Sequence, residues 1–137
     1  MREILFRGKT DKGEWVQGAY YHQAEFYGEQ CSFHYIIESC DELEDNMMWA
    51  LRVIPETIGQ YTGLIDKNGT KIFEGDIVKT DKFSEPNKQY IIKYDLQFGA
   101  FIGQDKYNAY FVTFDGDSDQ FEIIGNIHDC KAEDFLK

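Results

Sequence analysis

The chain has 137 residues, 14 basic and 25 acidic side chains, and a net charge of −11. That length suits one domain with a sizeable core, and 42% hydrophobic with 16% aromatic content excludes a disordered chain. The charge argues against ordinary nucleic-acid binding, which rests on Lys and Arg contacts to phosphate, and no apolar run approaches the ~20 residues of a membrane span.

From the N-terminus, Arg2 to Gly8 alternates in the manner of a strand, with Ile4 and Phe6 on one side and Glu3, Leu5 and Arg7 on the other. Asp11-Lys12-Gly13 is a turn signal, and Trp15 to His22 reads as a second strand, so the chain opens with a hairpin. Gly28 to Gln30 reads as loop, and Phe33 to Glu38 as a short apolar strand. Asp41 to Asn46 is acidic and polar. It reads as a loop before a strand at Trp49 to Ile54 in preference to the cap of a short helix at Met47 to Trp49, and Pro55 ends that strand because it lacks a donor.

Pro55 to Lys79 is the most informative stretch. Asn68-Gly69 predicts a hairpin with a type I′ turn, which needs positive φ at both central residues. Thr70 to Phe73 follows with β-branched and aromatic residues. Glu74-Gly75-Asp76 breaks the run, with Gly75 free to take a conformation other residues avoid and Asp76 placed to accept from turn amides. Ile77 and Val78 resume an apolar strand. Beyond it, Ser84 to Asn87 reads as loop, and Tyr90 to Tyr94, Phe98 to Ile102, Tyr107 to Phe114 and Phe121 to Ile127 as strands. Asp115 to Asp119 is a turn, and Lys131 to Leu136 suits a helical turn or two. Many short strands with turns between them predict a mainly β barrel or sandwich with at most short helices.

The run IGQYTGLIDKNGTKIFEGDIVK resembles the signature of the YopX family of bacteriophage and prophage proteins. Within it Gly59, Gln60, Tyr61, Thr62, Gly63, Asp66, Asn68, Gly69, Glu74, Gly75 and Asp76 carry the pattern as structural positions. The opening MREILFRGK with Gly13-Glu14-Trp15, and the closing EIIGNIHD from Glu122 to Asp129, resemble that family's two ends. Tyr20 to Arg52 carries no recognisable family pattern. The resemblance implies one domain over 1–137 without assigned activity: an N-terminal β extension over about 1–54 and an SH3-like barrel over about 55–137.

Several residue sets have candidate chemistry. Cys31, His34, Cys40, His128 and Cys130 include zinc-ligand types, but with no CxxC and without zinc-finger spacing they read as idle or buried thiols and imidazoles. Asp115, Asp117 and Asp119 alternate like the start of a calcium loop, yet Gln120 and Asn126 stand where that loop uses Gly and Glu, so a solvated turn is the reading. Glu74 and Asp76 flank a glycine in what reads as an architectural turn. His22, His34 and His128 are candidate bases, with no nucleophile elbow or phosphate loop to serve. No metal or cofactor, and no enzyme activity, is expected.

Three cysteines without a secretory leader predict a reduced, cytoplasmic protein of the bacterial host. The expected function is that of a phage accessory protein binding an unidentified host or phage protein, with self-association open and no direct contact to nucleic acid or membrane. The alternative is an acidic decoy imitating nucleic acid to occupy a host DNA-binding protein, because the acidic clusters Asp41 to Asp45 and Asp115 to Asp119 concentrate charge.

Overall fold

The structure, a computed structural model, describes residues 3–39, 48–80, 88–107, 109–112 and 121–129. The chain forms two compact units, residues 1–60 and 61–137. Both are built of antiparallel strands, and the one helical element among the described residues is a 3-10 turn at Pro55–Thr57. The mainly β expectation holds.

In the first unit, β1 (Phe6–Lys9), β2 (Trp15–Phe26), β3 (Glu29–Ser39) and β4 (Met48–Arg52) pair in the order β4-β3-β2-β1. The first residues of β5 (Gly59–Ile65) lie along β1, with Phe6 opposite Gln60. Val16, Ile36 and Val53 form the core, with Phe6, Leu51 and Ile58 packed against it. Buried Thr57 ties the 3-10 turn to β1: its hydroxyl donates to Ile54 O at 2.6 Å and accepts from the Lys9 N–H at 2.8 Å.

Strands β2 and β3 are longer than the sequence indicates. β2 runs on from His22 to Phe26 and β3 starts at Glu29, so the loop expected over Gly28 to Gln30 reduces to a turn at Tyr27-Gly28. β1 covers β2 only as far as Gly18, and β4 covers β3 only from Tyr35 onward. The far end of the pair is therefore a two-stranded arm, bulged between Gln23 and Glu25. The bulge offsets the register of β2 against β3 by one residue at that end of the arm.

In the second unit, the rest of β5 pairs with β6 (Lys71–Phe73). A five-stranded sheet follows, ordered β10-β9-β8-β7-β11, from β7 (Asp76–Thr80), β8 (Lys88–Asp95), β9 (Ala100–Gln104), β10 (Tyr110–Val112) and β11 (Glu122–Asn126). Its core is Leu64, Ile72, Val78, Tyr90, Ile92 and Phe121. β10 and β11 each have one neighbour in that sheet, so no ladder among the described residues closes the expected SH3-like barrel. The acidic segments 41–45 and 115–119, the 84–87 loop, the terminal helical turn, Cys40 and Cys130 lie outside the described residues.

Candidate functional site

The signature of the second unit is a set of turns held by inward-facing carboxylates. Asp66 is buried; its Oδ1 accepts from the N–H groups of Asn68 and Thr70, both at 2.9 Å, and its Oδ2 from Ile123 N–H at 3.2 Å. The Asp66 N–H donates to Thr70 O at 2.8 Å. Gly69 has φ +82, whereas Asn68 is not in the positive-φ region. The loop is therefore a type I turn followed by a left-handed glycine, in place of the expected type I′. The Asp66 carboxylate dictates the change by gathering N–H groups two and four residues ahead.

Gly75 has φ +88, and both its backbone groups are engaged: its N–H donates to Ile92 O at 2.8 Å and its carbonyl accepts from Ile127 N–H at 2.9 Å. Asp76 is buried beside it. Its Oδ2 accepts from Phe73 N–H at 2.8 Å and its Oδ1 from Asn126 Nδ2 at 3.2 Å, while Asn126 Oδ1 accepts from His128 N–H at 2.8 Å. The Asp76 carboxylate thus serves backbone and amide donors, as architecture requires. Gly59 and Gln60 lie on β5 in the first unit; Tyr61, Thr62 and Gly63 continue β5, Tyr61 being buried and tilted against Phe73 with ring centroids 5.6 Å apart.

A further carboxylate of this kind escaped the sequence reading. Asp105 is buried, its Oδ1 accepts from Tyr107 and Ala109 N–H groups at 2.9 Å, and its N–H donates to Ala109 O at 2.9 Å. Lys88 Nζ stands 2.9 Å from its Oδ2. That ammonium, with the two N–H groups, holds the Asp105 carboxyl below its ordinary range against the opposing effect of burial. The available signal was Asp105-Lys106 opening a loop as Asp66-Lys67 does. On the surface, Glu122 lies between Lys67 at 3.1 Å and Lys79 at 3.2 Å, and these two, Lys67 first, lower its carboxyl as well.

The first unit differs: its polar and aromatic groups face outward. On one face of the arm Phe6, Tyr20, His34 and His22 form a continuous ladder of rings, with centroid separations of 5.6, 5.9 and 4.4 Å. Tyr20 OH and His34 Nδ1 share a hydrogen bond of 2.6 Å. Ser32 Oγ lies 3.1 Å from His22 Nε2 and 3.3 Å from His34 Nε2. Tyr21 pairs with Tyr35 across the same two strands, and Arg52 lies over Phe33 at 4.1 Å. The sequence considered His34 with Cys31; the fold instead sets His34 opposite His22, while the Cys31 thiol donates to Gln23 O at 3.5 Å. His128 belongs to the second unit, beside Gly75. Among the described residues no three His, Cys, Asp or Glu side chains gather as a metal site, and no helix is long and apolar enough to cross a membrane.

The arm ends in Phe26-Tyr27-Gly28-Glu29. Tyr27 has φ +50 and Gly28 φ +80, and Phe26 pairs with Glu29, so this is a type I′ hairpin with tyrosine at its first central position. Tyr27 is 91% exposed and its ring meets exposed Phe26 edge-on at 4.4 Å. Asn, Asp or Gly would take that conformation with less strain.

Residues 5–131 match the family model described as YopX protein. No curated protein matches the chain. Among solved structures, the crystal structure of protein EF1440 from Enterococcus faecalis is similar at 22% identity, with a TM-score of 0.51 over 93% of this chain and 95% of that one. At that identity the likeness shows the fold alone.

Proposed function

This chain belongs to the YopX family, and from that premise we propose that it is a small phage or prophage accessory protein that acts by protein contact, with no chemistry of its own. The observation that carries the reading is Tyr27: a bulky ring held at positive φ at the tip of a projecting arm, almost wholly in solvent. Backbone strain of this kind collects at contact and switch sites. Tyr is also favoured at binding surfaces because it offers large area for little side-chain entropy. Exposed Tyr21, Phe26 and Trp49 extend the surface along the same unit. In the second unit the carboxylates are occupied by turn donors, which supports architecture over catalysis there. The free thiol of Cys31 fits a reduced, cytoplasmic setting.

The second reading, an acidic decoy for a host DNA-binding protein, is favoured by the net charge of −11. One experiment separates them. A photo-crosslinking residue is placed at Tyr27 or, as control, at Leu96, which is 89% exposed in the second unit. In host cells carrying the phage genes, a discrete adduct from position 27 that persists at 0.5 M salt (about 4 Å screening length) supports contact through the arm. Adducts that salt abolishes support the decoy. Adducts absent from position 27 overturn the arm reading.

A further inference from the structure

The arm has an open backbone edge as well as exposed rings. β1 pairs with β2 from Trp15 to Gly18 and stops there. Among the described residues no strand lies beside Ala19 to Phe26 on that side. A strand edge without a neighbour offers alternate N–H and carbonyl groups to another chain, and proteins blunt such edges with Lys, Pro or a bulge. From Ala19 to Phe26 there is neither Lys nor Pro. The bulge lies on the opposite strand, where Cys31 and Ser32 together face Ala24. β2 therefore keeps a regular, unguarded edge about 26 Å long, at ~3.3 Å per residue.

The chemistry around that edge selects what would fill it. From Gly13 to Ser39 the chain has four Glu and no Lys or Arg. Two of those Glu, Glu25 and Glu29, stand exposed at the end of the arm beside exposed Phe26 and Tyr27. Elsewhere in this unit rings carry cations: the Arg7 guanidinium lies 4.7 Å from the centre of the Trp15 ring, and that of Arg52 4.1 Å from the centre of Phe33. A guanidinium over a ring face is favourable, and Arg makes the contact more often than Lys. Tyr21 and Glu25 share one face of β2, two positions either side of Gln23, so a ring and a carboxylate stand in line along the edge. A second copy of this chain fits poorly, because two acidic arms laid edge to edge would bring no Lys or Arg to either.

Taking the arm as the contact surface, as proposed above, we propose that its partner supplies an extended, arginine-bearing segment that adds as a strand along Ala19 to Phe26. In strand addition main-chain hydrogen bonds give the affinity and alternate side chains the specificity. Arginines at alternate positions of the added strand project to one face. There one guanidinium meets the Tyr21 ring and another the Glu25 carboxylate, the latter as a charge-assisted pair. The net charge of −11 draws such a segment in from a distance.

The test titrates a synthetic eight-residue peptide of alternating Arg and Val into the full-length protein at 0.15 M salt (about 8 Å screening length), followed by ¹⁵N NMR of the backbone amides. Shifts should centre on Ala19 to Phe26 and leave β8 and β9 unmoved. Methylating the peptide's backbone nitrogens keeps its charge and should weaken binding at least about tenfold, because the main-chain donors are gone. Glu25→Lys, which guards the edge, should weaken it about tenfold, and Tyr21→Leu a few-fold, each with an unchanged melting curve showing that the variant is folded. Glu56→Lys makes the same change of charge at an exposed position off the arm and should have little effect. Shifts centred on the second unit, equal binding of the methylated peptide, or equal losses in Glu25→Lys and Glu56→Lys overturn the proposal. So does an absence of shifts at about 1 mM peptide. Any of these results beside a crosslink from position 27 removes the added strand alone, whereas loss of that crosslink removes the arm reading with it.

Discussion

Asp76→Asn offers a sharp test of the buried turn. The wild-type carboxylate has two acceptor oxygens, one for Phe73 N–H at 2.8 Å and one for Asn126 Nδ2 at 3.2 Å. An amide at position 76 keeps one acceptor and turns the other into a donor. If the acceptor stays with Phe73, two amide NH₂ groups face one another. Asn126 escapes only by inverting its own amide, which gives up its bond from His128 N–H. One buried hydrogen bond is lost either way, a cost of about 1–3 kcal/mol. Adding Asn126→Asp reverses the polarity of the pair: the new amide donates, and the new carboxylate accepts while still serving His128 N–H. The double variant should therefore recover at least half of the loss, giving a coupling energy within the range of about 0.5–3 kcal/mol seen for contacting residues. Asp76→Ala removes both acceptors and should cost about 2–4 kcal/mol. Urea unfolding of wild type, both single variants and the double variant at pH 7 supplies the cycle. Losses that add to within 0.5 kcal/mol, the tolerance expected of independent sites, would refute this account of the turn.

Gly75→Val should destabilise by about 2–3 kcal/mol from positive-φ strain, since the nearest atoms to an added Cβ lie at 3.5 Å and do not clash; Gly69→Val should do likewise, and unchanged urea midpoints in both variants would sink the reasoning. Asp105 has a folded pKa below its unfolded value, so its contribution is complete above the ordinary carboxylate range and is lost as pH falls through the folded pKa. Unfolding free energies measured from pH 6 down to pH 2.5 should fall more shallowly below about pH 4 in Asp105→Asn than in wild type. Tyr27→Asn should leave the fold intact or stabilise it by up to about 1 kcal/mol, because Asn tolerates the left-handed region; a loss of stability in thermal melts would show that the ring holds the arm together.

The turns were legible because their causes are local. Asn68-Gly69 and Gly75 announce positive φ through residue type alone, and both glycines have it. The kind of turn at 66–70 was missed because the decisive group is a side chain, Asp66, acting on amides two and four residues ahead. Asp105 was missed for a related reason: half of its environment is Lys88, 17 positions earlier in the sequence. The arm was cut short because His22-Gln23-Ala24-Glu25 has no apolar face, and two strands exposed on both sides need none. The pairing of His22 with His34 depends on a register that passes a bulge, and no spacing within one strand encodes that. The strands of the five-stranded sheet were within reach; their order, with β11 beside β7, and the lack of a closing ladder among the described residues were not, since closure depends on strand tilt and stagger instead of residue pattern.

The inward carboxylates change what the charge of this chain means to anything that approaches it. Asp66, Asp76 and Asp105 are all buried and committed to internal donors. Their charge still contributes to the field that draws or repels molecules at a distance, but no incoming side chain can grip their oxygens. Of the 25 acidic residues, no more than 22 are therefore available as handles. Long-range attraction and short-range recognition are consequently separable in this chain: a basic molecule can be drawn near by groups it never touches, and what it meets on the arm of the first unit is rings.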